Sequence, residues 1–160
     1  MTERERLLDM LGRVHDGDAW HGPSVMSVIT GVNAREAAAR PLQDGHSVQE
    51  IARHIAAWRH EVTERLGGKA PSMPAEGDWP GSPAADEAEW KKTLAELDRS
   101  HAELRRAIEA LPDSRWEEMV GDARDVGFGS GVSVALMLHG LVQHDAYHAG
   151  QMALLKKGLR

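Results

Sequence analysis

The stretch from about Ser133 to Lys157 constrains the fold more than any other part of the chain. Its apolar side chains recur at spacings of four and three residues, which is typical of the buried face of an α-helix. The positions on this face are Met137, Leu141, His144, His148, Met152 and Leu155. A long helix with such a face must be covered by other helices, so the pattern predicts a bundle with two imidazoles in its interior.

His144 and His148 have the spacing of two ligands to one metal ion. Four residues along an α-helix rotate the second side chain by about 40° and raise it by about 6 Å, so both rings can point at one ion. A stable first-row metal site usually needs at least three protein ligands. The chain contains no cysteine, so the third ligand must be another His, Asp or Glu.

His54, on a second helix, is one candidate for this third ligand. The helix begins with the capping box of Ser47 and Glu50 and ends before Gly67. Its apolar stripe consists of Val48, Ile51, Ile55, Trp58 and Val62. His54 lies at the edge of this stripe, where a single histidine is more often a buried structural residue than a ligand. The histidine pair on the last helix is what favours a ligand role for His54.

His101 is the rival candidate. It lies in a helix that we expect to begin at Ser82 and Pro83 and to end near Leu111. The seam of this helix is Trp90, Leu94, Leu97, His101, Leu104, Ile108 and Leu111. A seam position faces the bundle interior, so His101 is either a ligand or a buried structural histidine.

The N-terminal part of the chain predicts one more long helix, from about Thr2 to Val14, and a short helical piece at 25–30. The break at 16–24 between them contains His21. A ligand role for His21 would require this loop to fold onto the site. We therefore interpret His21 as a polar loop residue beside a packed Trp20.

Two further segments are predicted to be irregular. Residues 69–83 are rich in proline and glycine and form a long loop, whose Met73 and Trp79 either cover a pocket mouth or pin the loop to the core. Residues 112–131 predict a short amphipathic piece around Trp116 and then a glycine-rich connection. The glycines are not a phosphate-binding loop, because no strand precedes them and no G-K-[ST] ending follows. No stretch alternates with period two, so we expect essentially no sheet.

Together these patterns predict an all-α fold, a four-helix bundle with short extra helical pieces, in a single domain of residues 1–160. The length and the apolar fraction of 41% suit one domain with a real core. The net charge of −6 without a basic cluster argues against nucleic acid as a partner. No signal-peptide core and no run of about 20 apolar residues appear, so we expect a soluble cytoplasmic protein that binds no membrane.

Three motifs make the chain resemble the DinB/YfiT-like family of proposed metalloenzymes. They are W-H-G-P-S at 20–24, G-H-S-V-Q-E-I-A-R-H-I-A-A-W-R at 45–59 and H-G-L-V-Q-H-D-A-Y-H-A-G-Q at 139–151. The resemblance implies a four-helix bundle, often a homodimer, whose metal is held by one histidine of the second helix and the pair on the last. Mapped onto this sequence, the implied metal ligands are His54, His144 and His148.

The resemblance also implies a chemistry. Family members bind, or are proposed to bind, zinc, nickel or related divalent ions; some relatives are thiol-dependent S-transferases or isomerases, and others are hydrolase-like. The implied cofactors are a divalent ion, zinc or nickel, and a low-molecular-weight thiol; the implied partners are a small-molecule substrate and a second copy of the chain. Val134, Leu138 and Val142 make the last helix apolar on a further side, which also favours a homodimer.

Three neutral imidazoles leave a bound ion its full charge and at least one open position. A water or a thiol at that position ionises more readily and becomes a nucleophile. Asp145 and Gln151 lie within three residues of His148, so each either holds an imidazole by a hydrogen bond or is a solvated polar residue. No motif identifies a catalytic side chain.

Two functions therefore remain open. One is a metal-dependent enzyme on a small molecule, of the S-transferase or hydrolase type. The other is a non-catalytic, stress-associated bundle whose metal ion stabilises the fold. A solvent-reachable coordination position favours the enzyme, whereas a fourth protein ligand favours the structural role.

Overall fold

The computed structural model describes residues 1–81 and 84–159, and most of them are helical. This part of the chain forms the helices α1 (Glu3–His15), α2 (Val25–Ile29), α3 (Ala34–Ala38), α4 (Val48–Leu66), α5 (Glu87–Ala110) and α6 (Val134–Gly158). A 3-10 turn (Asp113–Arg115) and the strands β1 (Met119–Asp125) and β2 (Ser130–Ser133) connect α5 to α6. The mostly helical character predicted from the sequence is confirmed.

The four long helices pack side by side. Helix α4 lies against both α5 and α6, and α1 lies against the same two helices. Two apolar clusters fill the interior: one joins α2, α3, α4, α5 and α6, and the other joins α1 to the later parts of α4 and α5 and to the first part of α6. The face where α4 meets α6 carries the histidines discussed below.

The long helices begin where polar side chains cap them. Ser47 forms the capping box that the sequence predicted at the N-terminus of α4, and Thr2 forms a second capping box at the N-terminus of α1. Asp86 caps α5 by accepting a hydrogen bond from the main chain three residues on. The predicted start of this helix, Ser82 and Pro83, lies outside the described residues.

The expectation of no sheet is wrong. Strands β1 and β2 form an antiparallel hairpin in which Met119 pairs with Ser133 and Val120 with Val132. Only Val120 is buried in β1, so the strand lacks the alternation by which a strand is recognised in a sequence. Gly131 has φ of +69°, and a Cβ atom there would lie 2.4 Å from Cα of Arg124. This close approach within the hairpin therefore requires glycine.

Two smaller expectations also need correction. Val134 and Leu138 are buried inside the chain's own core, so they do not form an outer apolar side of α6. Trp20 is fully exposed rather than packed. In the described ranges, no helix combines the length and the apolar character that crossing a lipid bilayer requires.

Candidate metal centre

Helices α4 and α6 bring His54, His144 and His148 together. One ring nitrogen of each histidine lies within 4.8 Å of the corresponding atoms of the other two, and the Nε2 atoms of His54 and His144 are 2.9 Å apart. His54 and His148 are buried and His144 is partly buried. Within residues 1–81 and 84–159, this is the one group of three His, Asp or Glu side chains close enough to share an ion. Metal binding by this histidine cluster stays a prediction.

Hydrogen bonds orient the rings of His54 and His144. Nδ1 of His54 donates to the main-chain oxygen of Asp78 at 2.5 Å. Nδ1 of His144 donates to Oδ1 of Asp145 at 3.1 Å. A carbonyl or an ionised carboxylate can only accept, so each Nδ1 carries a proton and each Nε2 is the ring nitrogen that faces the cluster.

The ring of His148 is held in the same way. Its Nδ1 donates to Oε1 of Gln151 at 2.7 Å, and Nε2 of Gln151 donates to the hydroxyl oxygen of Tyr147 at 2.9 Å. With the amide nitrogen at the Tyr147 hydroxyl, the amide oxygen faces the ring and accepts from Nδ1. The sequence predicted that Asp145 and Gln151 lie near His148. In the structure, Gln151 accepts from His148 and Asp145 accepts from His144.

The donor set fits a divalent ion. Because each Nδ1 is bonded to an acceptor of the protein, each ring offers its Nε2 to a ligand in the centre of the cluster. Neutral imidazole is a ligand that zinc, nickel and related first-row ions accept. The 2.9 Å between two of the Nε2 atoms is slightly less than the spacing of two nitrogens on one tetrahedral ion. A small opening of the cluster would therefore seat such an ion.

A buried ion pair stands behind His144. Nε of Arg59 donates to Oδ2 of Asp145 at 2.8 Å, and both side chains are completely buried. Burial raises the pKa of Asp145, but the charge of Arg59 and the bonds from Arg59 and His144 outweigh it, so the pKa lies below its usual value. Asp145 is thus an ionised acceptor, which makes His144 a stronger ligand.

The other two rings are uncharged at neutral pH. Burial lowers the pKa of His148 to about 4, and the neighbouring His144 and His54 add to this effect. Burial also lowers the pKa of His54, more than its bond to the Asp78 carbonyl raises it. Because a histidine must be neutral to bind a metal, these shifts keep both rings ready as ligands.

Residues 69–81, the described part of the predicted loop, cover one side of the histidine cluster. Trp79 stacks between His46 and His54, with ring centroids 3.5 Å and 4.0 Å away. Beside it, Nε1 of Trp58 donates to Oδ1 of Asp78 at 2.8 Å. Trp79 thus covers the histidine cluster and also packs on the core, so it combines the two roles that the sequence left open for it. The loop residue Met73 is exposed. No feature of the sequence indicated that Asp78 contacts a histidine.

The remaining candidate histidines lie elsewhere. His101 is buried and stacks on His15 with ring centroids 3.9 Å apart, so it takes the structural role that was its alternative. His139 pairs with Glu3. His21 lies in an exposed loop, as expected.

A cavity of about 510 Å³ opens beside His54 and His144. Helices α4 and α6 form two of its walls, and the turn of the hairpin forms a third. Its lining is largely apolar and includes Trp58, Val62, Phe128, Val132, Met137 and Leu141. This volume is within the range of small-molecule sites.

Fold and site together define a mostly helical protein with a three-histidine cluster that could hold a metal ion. A sequence model of the DinB superfamily matches residues 19–152, a range that includes α4, the hairpin and most of α6. The chain belongs to the DinB superfamily, and the resemblance seen in the sequence motifs is confirmed. No curated protein and no solved structure matches the chain significantly.

Proposed function

We propose that this protein is a metal-dependent enzyme that acts on a small molecule, with His54, His144 and His148 as the ligands of one divalent ion. The observation that carries the proposal is the cavity of about 510 Å³ beside the cluster. No fourth His, Asp or Glu from residues 1–81 or 84–159 belongs to the cluster. Three protein ligands with an open position are typical of catalytic metal sites, whereas structural sites are closed by a fourth ligand.

The reaction that fits best is transfer to or from a low-molecular-weight thiol, or hydrolysis. A zinc or nickel ion, when bound, supplies charge that lowers the pKa of a thiol or a water and yields a nucleophile at neutral pH. The chain holds the three rings through Asp78, Asp145 and Gln151. Trp79 shields one side of the cluster from water.

The alternative is a non-catalytic, stress-associated protein whose ion stabilises the fold. It is favoured by the way the cluster joins α4 to α6 and, through the Asp78 carbonyl, to the loop before α5. An ion at this point would tie three segments together. The two functions differ in whether an outside ligand can reach the metal.

Cobalt substitution tests this difference. After the metal content of protein purified without added metal is measured, the ion is replaced by cobalt and 2-mercaptoethanol is added. An enzyme with an open position should show a new thiolate-to-cobalt absorption band, and should then catalyse conjugation of a thiol to a chlorodinitrobenzene electrophile. Bound cobalt whose absorption spectrum does not change on addition of the thiol would support the structural role. No bound metal at all would refute both.

We also propose that the chain folds as one domain and assembles as a cytoplasmic homodimer. Leu136, Tyr147 and Leu154 are exposed on α6 and lie within about 20° of one another around the helix axis. Light scattering at micromolar concentration should give twice the chain mass of 17.5 kDa, and Leu154→Glu should give the monomer. A monomer mass for the parent would contradict the proposal.

A further inference from the structure

Arginines outnumber carboxylates in the lining of the cavity beside the histidine cluster, although the chain as a whole carries a net charge of −6. Apart from the histidines, the charged residues that line it are Arg65, Arg124 and Asp78. The carboxylate of Asp78 accepts from Trp58, and its main-chain oxygen accepts from His54. Two guanidinium groups face this one carboxylate across the lining, so the lining favours an anionic ligand.

The charge of Arg124 is not balanced by a carboxylate partner among the described residues. Its Nη1 donates to the main-chain oxygens of Ser130 at 2.8 Å and Asp125 at 3.2 Å. These acceptors are neutral, and Arg124 forms no salt bridge with the described residues. Gly131 packs against its Cα, so the hairpin holds its main chain firmly. The remaining guanidinium N–H groups are available to a ligand.

Arg65 lies near the opposite side of the hairpin turn. Its Nε donates to Oε1 of Glu61 and its Nη2 to the main-chain oxygen of Ser72, both at 3.0 Å. Nη1 makes no hydrogen bond within the described ranges, and it lies 3.8 Å from the position that a Cβ of Gly129 would take. Glu61 is shared with Lys69 at 2.7 Å, so it neutralises Arg65 only in part.

The rest of the cavity lining is largely apolar. Val62 lies between His54 and Arg65 along α4, and Met137 and Leu141 of α6 and Phe128 of the hairpin turn also line the cavity. A matching ligand has an apolar middle, an anionic group for the arginines and a metal-binding group for the histidines. A planar carboxylate pairs well with guanidinium N–H groups.

We propose that Arg124, assisted by Arg65, is the subsite for a carboxylate on the substrate or the thiol co-substrate of this enzyme. The inference rests on the proposed function, because the other end of that molecule is taken to reach the metal. It narrows the substrate class to carboxylate-bearing small molecules with an apolar segment. Arg124 then determines specificity and takes no part in the bond-making steps.

The test compares two probes that differ only at the far end. 6-Mercaptohexanoate and 6-mercaptohexanol both bring a thiol to the metal, but only the first carries a carboxylate. Their affinities for cobalt-substituted protein are measured from the thiolate-to-cobalt band in the parent, Arg124→Ala, Arg124→Lys and the control Arg106→Ala. Arg106 is exposed on α5 and does not line the cavity.

The parent and Arg106→Ala should bind the carboxylate probe about fivefold more tightly than the alcohol, a difference expected for one solvent-accessible ion pair. Arg124→Ala should bind both probes almost equally with unchanged cobalt content, and Arg124→Lys should retain part of the preference. Added salt should weaken the preference in the parent. Equal binding of the two probes by the parent, or a preference that survives in Arg124→Ala, would overturn the proposal.

Failure of the metal site gives a separate result. If the parent binds no cobalt, the proposed function falls and the subsite is examined alone, by titrating hexanoate and hexanol into metal-free protein. Hexanoate and hexanol should both shift the NMR signals of the Phe128 ring in the parent, but only hexanoate should shift the signal of the Arg124 Nε–H. An Arg124 signal that hexanoate does not move would overturn the subsite independently of the metal.

Discussion

The three imidazoles of the histidine cluster are oriented by acceptors of three kinds. A main-chain oxygen of Asp78, a carboxylate of Asp145 and an amide of Gln151 each accept from one Nδ1. Asp145 and Gln151 could be predicted, because a histidine and its neighbours on one helix turn are close in space. Asp78 could not, because its contact with α4 depends on the path of a loop without a regular pattern.

Removal of the Gln151 acceptor should weaken metal binding without removing a ligand. Gln151→Leu leaves the Nδ1–H of His148 without its partner, and losing such a partner typically lowers metal affinity by about tenfold or more. Zinc affinity is measured by competition with a chelating dye. Gln151→Glu, which keeps an acceptor, should stay close to the parent, as should Gln143→Leu at an exposed position of the same helix. Equal affinities for all four proteins would refute this role.

At the scale of elements, a buried ion pair joins α4 to α6. Arg59 and Asp145 are both completely buried, and Nη1 of Arg59 also donates to the main-chain oxygen of Leu97 in α5 at 3.2 Å. The boundaries of α4 and α6 follow from capping residues and apolar spacing, so the sequence predicts both helices well. The ion pair joins residues 86 positions apart, so it could not be predicted from the local spacing of apolar residues.

Loss of one partner of this pair should be costly. Arg59→Met leaves a buried carboxylate uncompensated, and such changes typically cost about 3–5 kcal/mol in the free energy of unfolding. Urea denaturation measures this cost. Arg59→Met combined with Asp145→Leu should regain much of it, because no charge is then left buried. Arg53→Met on the same helix breaks a pair with the exposed Glu76 and an exposed hydrogen bond to the main-chain oxygen of Gly81, and it should cost less than the Arg59 variant, about 1 kcal/mol. Similar costs for the Arg59 and Arg53 variants would contradict this account.

The hairpin is the element that sequence reasoning missed, and it forms one wall of the cavity. The positive φ angles of Gly121, Gly129 and Gly131 and the irregular pairing after Val120 interrupt its pattern. Local periodicity thus predicts the helices that carry the histidines, whereas the hairpin wall of the cavity is built from irregular backbone.

On the scale of the whole molecule, burial keeps several histidines neutral. It lowers the pKa of His15 and His54, that of His148 to about 4 and that of His101 to about 3. In the unfolded chain these groups return to a pKa of about 6.5. Below that pH the unfolded state binds more protons than the folded state, so stability must fall as the pH falls.

The metal-free protein should therefore lose stability between about pH 6.5 and pH 4, with little change between pH 7 and 8. The urea midpoint, measured at each pH in the presence of a chelator, records the loss. His101→Gln should reduce the slope, because it removes the group whose pKa is lowered to about 3. His21→Gln, at an exposed position, should keep the slope of the parent. A midpoint independent of pH over this range would count against buried neutral histidines.

The most direct test of the central claim is the metal content of each histidine variant after saturation with zinc and gel filtration, measured by plasma mass spectrometry. The parent, His101→Ala and His139→Ala should each retain about one zinc ion per chain. His54→Ala, His144→Ala and His148→Ala should each retain almost none, with unchanged circular dichroism, because two imidazoles hold a first-row ion weakly. Full zinc in His54→Ala together with loss of zinc in His101→Ala would contradict the assignment of the site.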